Sequence, residues 1–175
     1  MSPHHTFLVC NSTSIFFLPQ LLYDQSVLLR ARALKGLSIL VDISPDCIQS
    51  LHPKHSPGRQ GDPPSQGLLS SELGRVIPAR LLDSSPAVRE AAVELVGRLV
   101  AANPDLFMPI YYSPLVARVL DLCVSVRKRA VRSLQTLIYD SVAPTSSTQC
   151  LSTKQLVDIC VILLRRLHDE DSVKV

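Results

Sequence analysis

Three aspartates stand six residues ahead of three arginines: Asp24 before Arg30, Asp83 before Arg89, and Asp121 before Arg127. In each copy an apolar residue precedes the arginine and an apolar stretch follows it. A carboxylate in a turn can accept backbone N–H groups where the next helix begins. An arginine in the first turn of that helix can reach the aspartate of a neighbouring copy. Stacked copies would then form a ladder of hydrogen-bonded charges, a structural device rather than catalytic chemistry. A fourth copy begins at Asp169 and reaches a basic residue at Lys174, one residue sooner.

Other reactive types are sparser. Cys47, His52 and His55 are metal-ligating residues, but a fourth ligand at zinc spacing is missing and the segment is rich in Pro and Gly. His168 beside Asp169, Glu170 and Asp171 could do acid–base work, yet its place at an expected helix end favours a capping role. Gly58-Arg-Gln-Gly61 is a loop fragment and not a phosphate cradle, and neither GxSxG nor HExxH occurs. No catalytic, cofactor-binding or metal residue is therefore expected. The remaining candidate is a basic cluster: Arg118, Arg127, Lys128, Arg129 and Arg132, opposed nearby by Asp121 alone. On a helix starting near Ser125, Lys128, Arg129 and Arg132 point away from the apolar stripe. They form a candidate contact for DNA or an acidic partner, against the ordinary reading of a solvated face.

The elements that must position these residues are helices. Of 175 residues, 46% are hydrophobic and 5% aromatic, with no Trp, so the core is aliphatic and favours helix on helix. A net charge of +3 is too mild to define a nucleic-acid binder by itself. Five cysteines scattered without CxxC spacing read as reduced, mostly buried thiols. No apolar run reaches the roughly 18 residues of a membrane helix. The apolar patch near the N-terminus lacks a preceding Lys or Arg, against a secretory signal.

Periodicity predicts helices over 15–22, 26–43, 68–82, 86–101, 105–120 (broken near Pro109 and Pro114), 125–140 and 153–168. Each repeat reads as a first helix, a turn carrying the Asp, and a second helix carrying the Arg. The basic residues are spaced by 59, 38 and 47 positions. The first interval contains His52–Gly67, with four of the thirteen prolines and three of the six glycines, which reads as a flexible loop. Without it the spacing falls near the roughly 40–47 residues of two-helix HEAT or armadillo repeats. The expected fold is all-α, a HEAT-repeat α-solenoid of antiparallel helix pairs. Residues 1–14 form an unmatched tail, 15–51 a partial repeat, 52–67 the loop, and 68–175 further repeats cut short in the fourth.

These residues resemble one family in particular. Leu81–Val100, Tyr111-Tyr112, Arg118–Asp121, Val124–Arg129, Cys160–Glu170 and Arg30–Lys35 are similar to the HEAT region of Nipped-B-type cohesin loaders (sister chromatid cohesion protein 2, delangin). The likeness covers about 24–51 and 73–175 and is most specific over 81–129. It implies an internal segment of a long, non-enzymatic HEAT scaffold in the nucleus. Its implied partners are cohesin ring subunits and, by contacts that do not read sequence, DNA or chromatin, with no membrane and no small-molecule substrate. The alternative is another nuclear HEAT or armadillo adaptor, of transport or condensin type, that shares only the ladder.

Overall fold

The computed structural model describes residues 18–43, 64–103, 107–142 and 151–172. After a helical turn over 18–21, the elements are α1 (Val27–Ile43), α2 (Pro64–Leu81), α3 (Pro86–Ala102) and α4 (Pro109–Ala117). A 3-10 turn (Arg118–Leu120) leads to α5 (Val124–Val142), and α6 (Thr153–Ser172) follows. No strand occurs among the described residues.

The Arg-bearing helices α1, α3 and α5 pack side by side as one layer. The first helices of the repeats form the other, with α2 against α3 and α4, and α4 against α5. Helix α6 meets α5 and is tied to α4, where the Tyr112 hydroxyl donates to the Gln155 carbonyl at 3.3 Å. This is the alternation of a HEAT-type solenoid.

Position in the stack sets each helix's pattern. Helix α3 has a neighbour on each side and α2 above, so it buries residues nearly all round: Val88, Ala91, Ala92, Val93, Leu95, Val96, Leu99 and Val100. Helix α5 buries a single stripe, Val126, Ala130, Ser133, Leu134 and Leu137. Short Ala side chains let α3 come close to its neighbours. Tyr111 anchors the α4 layer, fully buried with its ring edge-on to Phe107 at 6.2 Å between centroids.

Several expected boundaries move. Helix α2 starts at Pro64, so Pro64–Gly67 of the expected loop form its first turn, where Pro is tolerated because the N–H it lacks would be unpaired anyway. Pro109 opens α4, but Pro114 does not break it. One intrahelical bond is lost there, and burial of Tyr111 and Leu115 on either side outweighs the loss, at about 1.5–3 kcal/mol per large side chain. Helix α6 runs to Ser172, because no Gly or Pro interrupts 153–172. Asp169 therefore lies on a helix and not in a turn, and His168 does not end one; their side chains fall outside the described residues. Of the cysteines, Cys123 is half-buried and Cys160 exposed, which corrects the expectation of mostly buried thiols for these two. Residues 1–14 and 52–63, with Cys47, His52 and His55, also lie outside the described residues.

Of the glycines Gly36, Gly74 and Gly97, the most crowded is Gly97 on α3. A Cβ there would meet the Ser133 Oγ of α5 at 2.5 Å and its Cβ at 3.3 Å. The Ser133 hydroxyl in turn donates to the Val93 carbonyl at 3.3 Å. At Gly36 on α1, a Cβ would meet only Leu18 at an ordinary 3.6 Å. Helix propensity alone makes both Gly→Ala changes favourable by about 0.5–1 kcal/mol. Gly36→Ala should therefore raise the urea midpoint. Gly97→Ala should lower stability by about 1–2 kcal/mol through overpacking, with part restored by adding Ser133→Ala. A midpoint raised equally by both single changes would contradict this packing.

Candidate functional site

Each aspartate of the ladder first organises its own turn. Asp24 Oδ1 accepts the Ser26 amide at 2.7 Å, Asp83 Oδ1 that of Ser85 at 3.0 Å, and Asp121 Oδ1 that of Cys123 at 2.9 Å. These bonds close the chain just before α1, α3 and α5. The Ser85 hydroxyl itself makes no cap bond, so the aspartate does that work at α3.

Each arginine then has two tasks. Its Nη1 returns to the carbonyls of its own turn: Arg30 to Asp24 (2.8 Å) and Gln25 (2.9 Å), Arg89 to Asp83 and Ser84 (both 2.8 Å), and Arg127 to Asp121 (2.8 Å) and Leu122 (3.1 Å). Its Nε and Nη2 edge grips the aspartate of the next repeat with two bonds. Arg30 holds Asp83 at 3.0 and 3.0 Å, and Arg89 holds Asp121 at 2.7 and 2.8 Å. The planar fork matches a carboxylate in direction as well as charge.

Two members of the ladder escaped the sequence reading. Arg80 Nη1 donates to Asp83 Oδ2 at 2.9 Å, and Arg118 Nη1 to Asp121 Oδ2 at 2.8 Å. The signal was present as a repeated Arg-x-Leu-Asp, at Arg80–Asp83 and Arg118–Asp121. The first copy has Leu21 at the corresponding place.

Burial by itself would push the Asp83 and Asp121 carboxyls up. The side-chain bonds from Arg30 and Arg89, the turn amides, and the charges of both arginines at each site outweigh it, and both carboxyls lie below their ordinary value. Half-buried Cys123, in the turn before α5, has its thiol lowered by the Ser125 hydroxyl and the amides of Val126 and Ser125.

The basic cluster divides. Arg118 and Arg127 belong to the ladder. Arg129 reaches back to α3, pairing with Glu90 at 3.4 Å and Glu94 at 3.3 Å, while the Ser125 hydroxyl donates to Glu90 at 2.7 Å. Glu94 also pairs with Arg98, which bridges to Asp42 of α1. Arg129 is thus a tie between helices, and the expectation that it faces away with its neighbours is corrected. Lys128 and Arg132 remain on the exposed side of α5. They border a cleft of about 550 Å³ between α5 and α6, with Val124, Val131 and Leu163 among its apolar lining and Arg127 on its wall.

Residues 61–96, which include Asp83 and Arg89, match the family model described as a HEAT repeat associated with sister chromatid cohesion. The chain is 32% identical over 155 residues to Nipped-B-like protein A of Danio rerio, covering 89% of this chain and 5% of that protein. It is 31% identical over 155 residues to Nipped-B-like protein of Homo sapiens, covering 89% of this chain and 4% of the relative. Against Nipped-B protein of Drosophila melanogaster the identity is 32% over 151 residues, or 86% and 6%. Over this stretch the chain is a Nipped-B homologue. The match spans only about a twentieth of the Nipped-B proteins' length, and it takes in the turns and helices of all three ladder copies.

Among the described residues of this Nipped-B homologue no group of three His, Cys, Asp or Glu could hold a metal ion, and no helix is long and apolar enough to cross a membrane. What the arrangement can do is set a fixed stacking of helix pairs and present charged side chains from it.

The ladder has a measurable acid signature. A carboxyl whose folded pKa is lowered contributes stability that is complete above its unfolded value of about 3.9 and is lost as pH falls through the folded value. Asp121→Ala leaves two arginines facing an empty site and should cost about 3 kcal/mol. Gln135→Ala, on the exposed side of α5, should stay within about 0.5 kcal/mol. Asp121→Asn should flatten the fall of stability between about pH 5 and pH 2. Equal urea midpoints for the two alanine variants, or an unchanged acid slope, would contradict the assignment.

Proposed function

We propose that this chain is a non-enzymatic HEAT scaffold segment acting in cohesin loading in the nucleus, with cohesin ring subunits and chromatin as its partners. The observation that carries the reading is the coincidence of two facts. The family model for a HEAT repeat associated with sister chromatid cohesion falls on α2 and α3, and the Nipped-B likeness extends over the whole ladder. The ladder supplies a rigid stack, and a rigid stack is what an extended binding surface requires.

Lys128 and Arg132 are the candidate contacts on that stack for a negatively charged surface. Their helix has its apolar stripe committed to the core, so it cannot enter a DNA groove as a recognition helix does. Contact with DNA would be to phosphate, salt-dependent and indifferent to sequence.

Two measurements test this reading. Immobilised chain should retain cohesin ring subunits from nuclear extract, and an Asp121→Ala chain, whose stack is loosened, should retain less. In DNA titrations, Lys128→Glu with Arg132→Glu should weaken binding by a similar factor on unrelated duplexes and reduce the salt slope by up to about two. Failure to retain cohesin would overturn the loader reading. Unaltered DNA binding at low salt would remove DNA from the list of partners for this face.

A further inference from the structure

The edge of the stack formed by its aspartate turns presents one unit twice, Arg80-Leu-Leu-Asp83 and Arg118-Val-Leu-Asp121. In both, the residue after the arginine is buried, Leu81 or Val119. The next one points outward: Leu82 is 58% exposed and Leu120 66%. Tyr23 stands exposed at the same place before Asp24, and Leu122 is exposed just beyond Asp121. One exposed leucine is ordinary on any protein, but the same exposure before every ladder aspartate makes a row along the edge. The row includes the inner turn at Leu82, which has a repeat on either side. Helices α1, α3 and α5 begin at this edge and end at the opposite one, from which the chain passes to its next repeat.

Each unit also carries surplus positive charge. Asp83 meets both Arg30 and Arg80, and Asp121 meets both Arg89 and Arg118, so two guanidinium groups face one carboxylate at each turn. Arg80 and Arg118 are only partly buried. Over 82–87 and 120–125 the two buried aspartates are the only acids. Glu90, one turn into α3, is engaged by Arg129 and the Ser125 hydroxyl. The edge therefore repeats an apolar contact beside a positive one, at the spacing of neighbouring helices, about 8–10 Å. A segment in polyproline II form has three residues per turn and returns the same face after about 9 Å, in step with that spacing.

We propose that this turn edge docks an extended acidic segment of a partner protein, in which Asp or Glu beside an apolar residue recurs at every third position. The apolar side chains pack on Leu82 and Leu120, and the carboxylates meet the surplus charge at Arg80 and Arg118. The leucine row favours such a segment over DNA, whose phosphates gain nothing from apolar surface.

This inference rests on reading the chain as a protein-binding scaffold, but it uses neither cohesin nor Lys128 and Arg132, so the two readings fail separately. The probe is a fluorescent peptide of three Asp-Leu-Pro repeats, titrated onto the full chain beside a form with Asn in place of each Asp. The Asp form should bind at least about tenfold more tightly, and its affinity should fall as salt rises. A Leu82→Ser, Leu120→Ser chain should lose at least about fivefold in affinity with helical content unchanged. A Lys128→Glu, Arg132→Glu chain should bind the peptide within about twofold of the parent. Absence of binding, equal binding of the Asn form, affinity that survives the two serines, or affinity lost with Lys128 and Arg132 overturns the proposal. So does a DNA duplex that displaces the peptide and binds parent and serine chains alike, which would make the edge a phosphate surface. A chain dimer that the two serines dissolve would equally overturn it, by giving the edge to a second copy.

Discussion

The stack depends on one interaction, the two-bond grip of an arginine on the aspartate of the next repeat. Taking these charges out of water is costly, and a buried ion pair offsets that cost only when its geometry is good and its remaining polar atoms are satisfied. Here each buried aspartate accepts four hydrogen bonds, two from the previous repeat's arginine, one from the bracing arginine and one from its own turn. The Asp121 site repeats the set. The satisfaction is not complete, since the Nε of both Arg80 and Arg118 is buried without a partner. The same shortfall in both copies marks the grip as a repeated geometry that keeps its small cost.

The grip also explains the spacing of the helices. Because one guanidinium holds its own turn carbonyls and the next turn's carboxylate together, it fixes how far and in what register one repeat follows another. Aliphatic stripes alone would let helices slide by a turn. With the register fixed, Gly97 can be placed against Ser133, and Glu90 and Glu94 against Arg129.

Much of this was legible in the sequence because it is periodic. Asp and Arg six apart, recurring at repeat spacing, state both the turn and the helix start, and the Nipped-B likeness was carried by the same residues. What escaped was either local or distant. Arg80 and Arg118 were visible as a short repeat with Asp83 and Asp121, but a bracing role appears only once the turn folds back on its helix. Arg129 was placed wrongly because its partners lie 39 and 35 residues earlier, on a neighbouring helix that no helical projection of α5 shows. The boundary at Pro114 moved because the burial of Tyr111 and Leu115 outweighs the lost helical bond, whereas Pro64 fits a helix start and nothing in 153–172 stops α6 before Ser172. No sequence feature distinguished Lys128 and Arg132 from Arg129 without the register of the stack.

The most direct measurement of the central claim is a double-mutant cycle on Arg89 and Asp121. Arg89→Ala, Asp121→Ala and the double variant would be unfolded in urea beside the parent chain. The account predicts a coupling energy of at least about 1.5 kcal/mol between the two positions, near the middle of the roughly 0.5–3 kcal/mol range for residues in one network. Effects that add to within about 0.5 kcal/mol would contradict it, and would leave the aliphatic layers as the only thing holding the repeats in place.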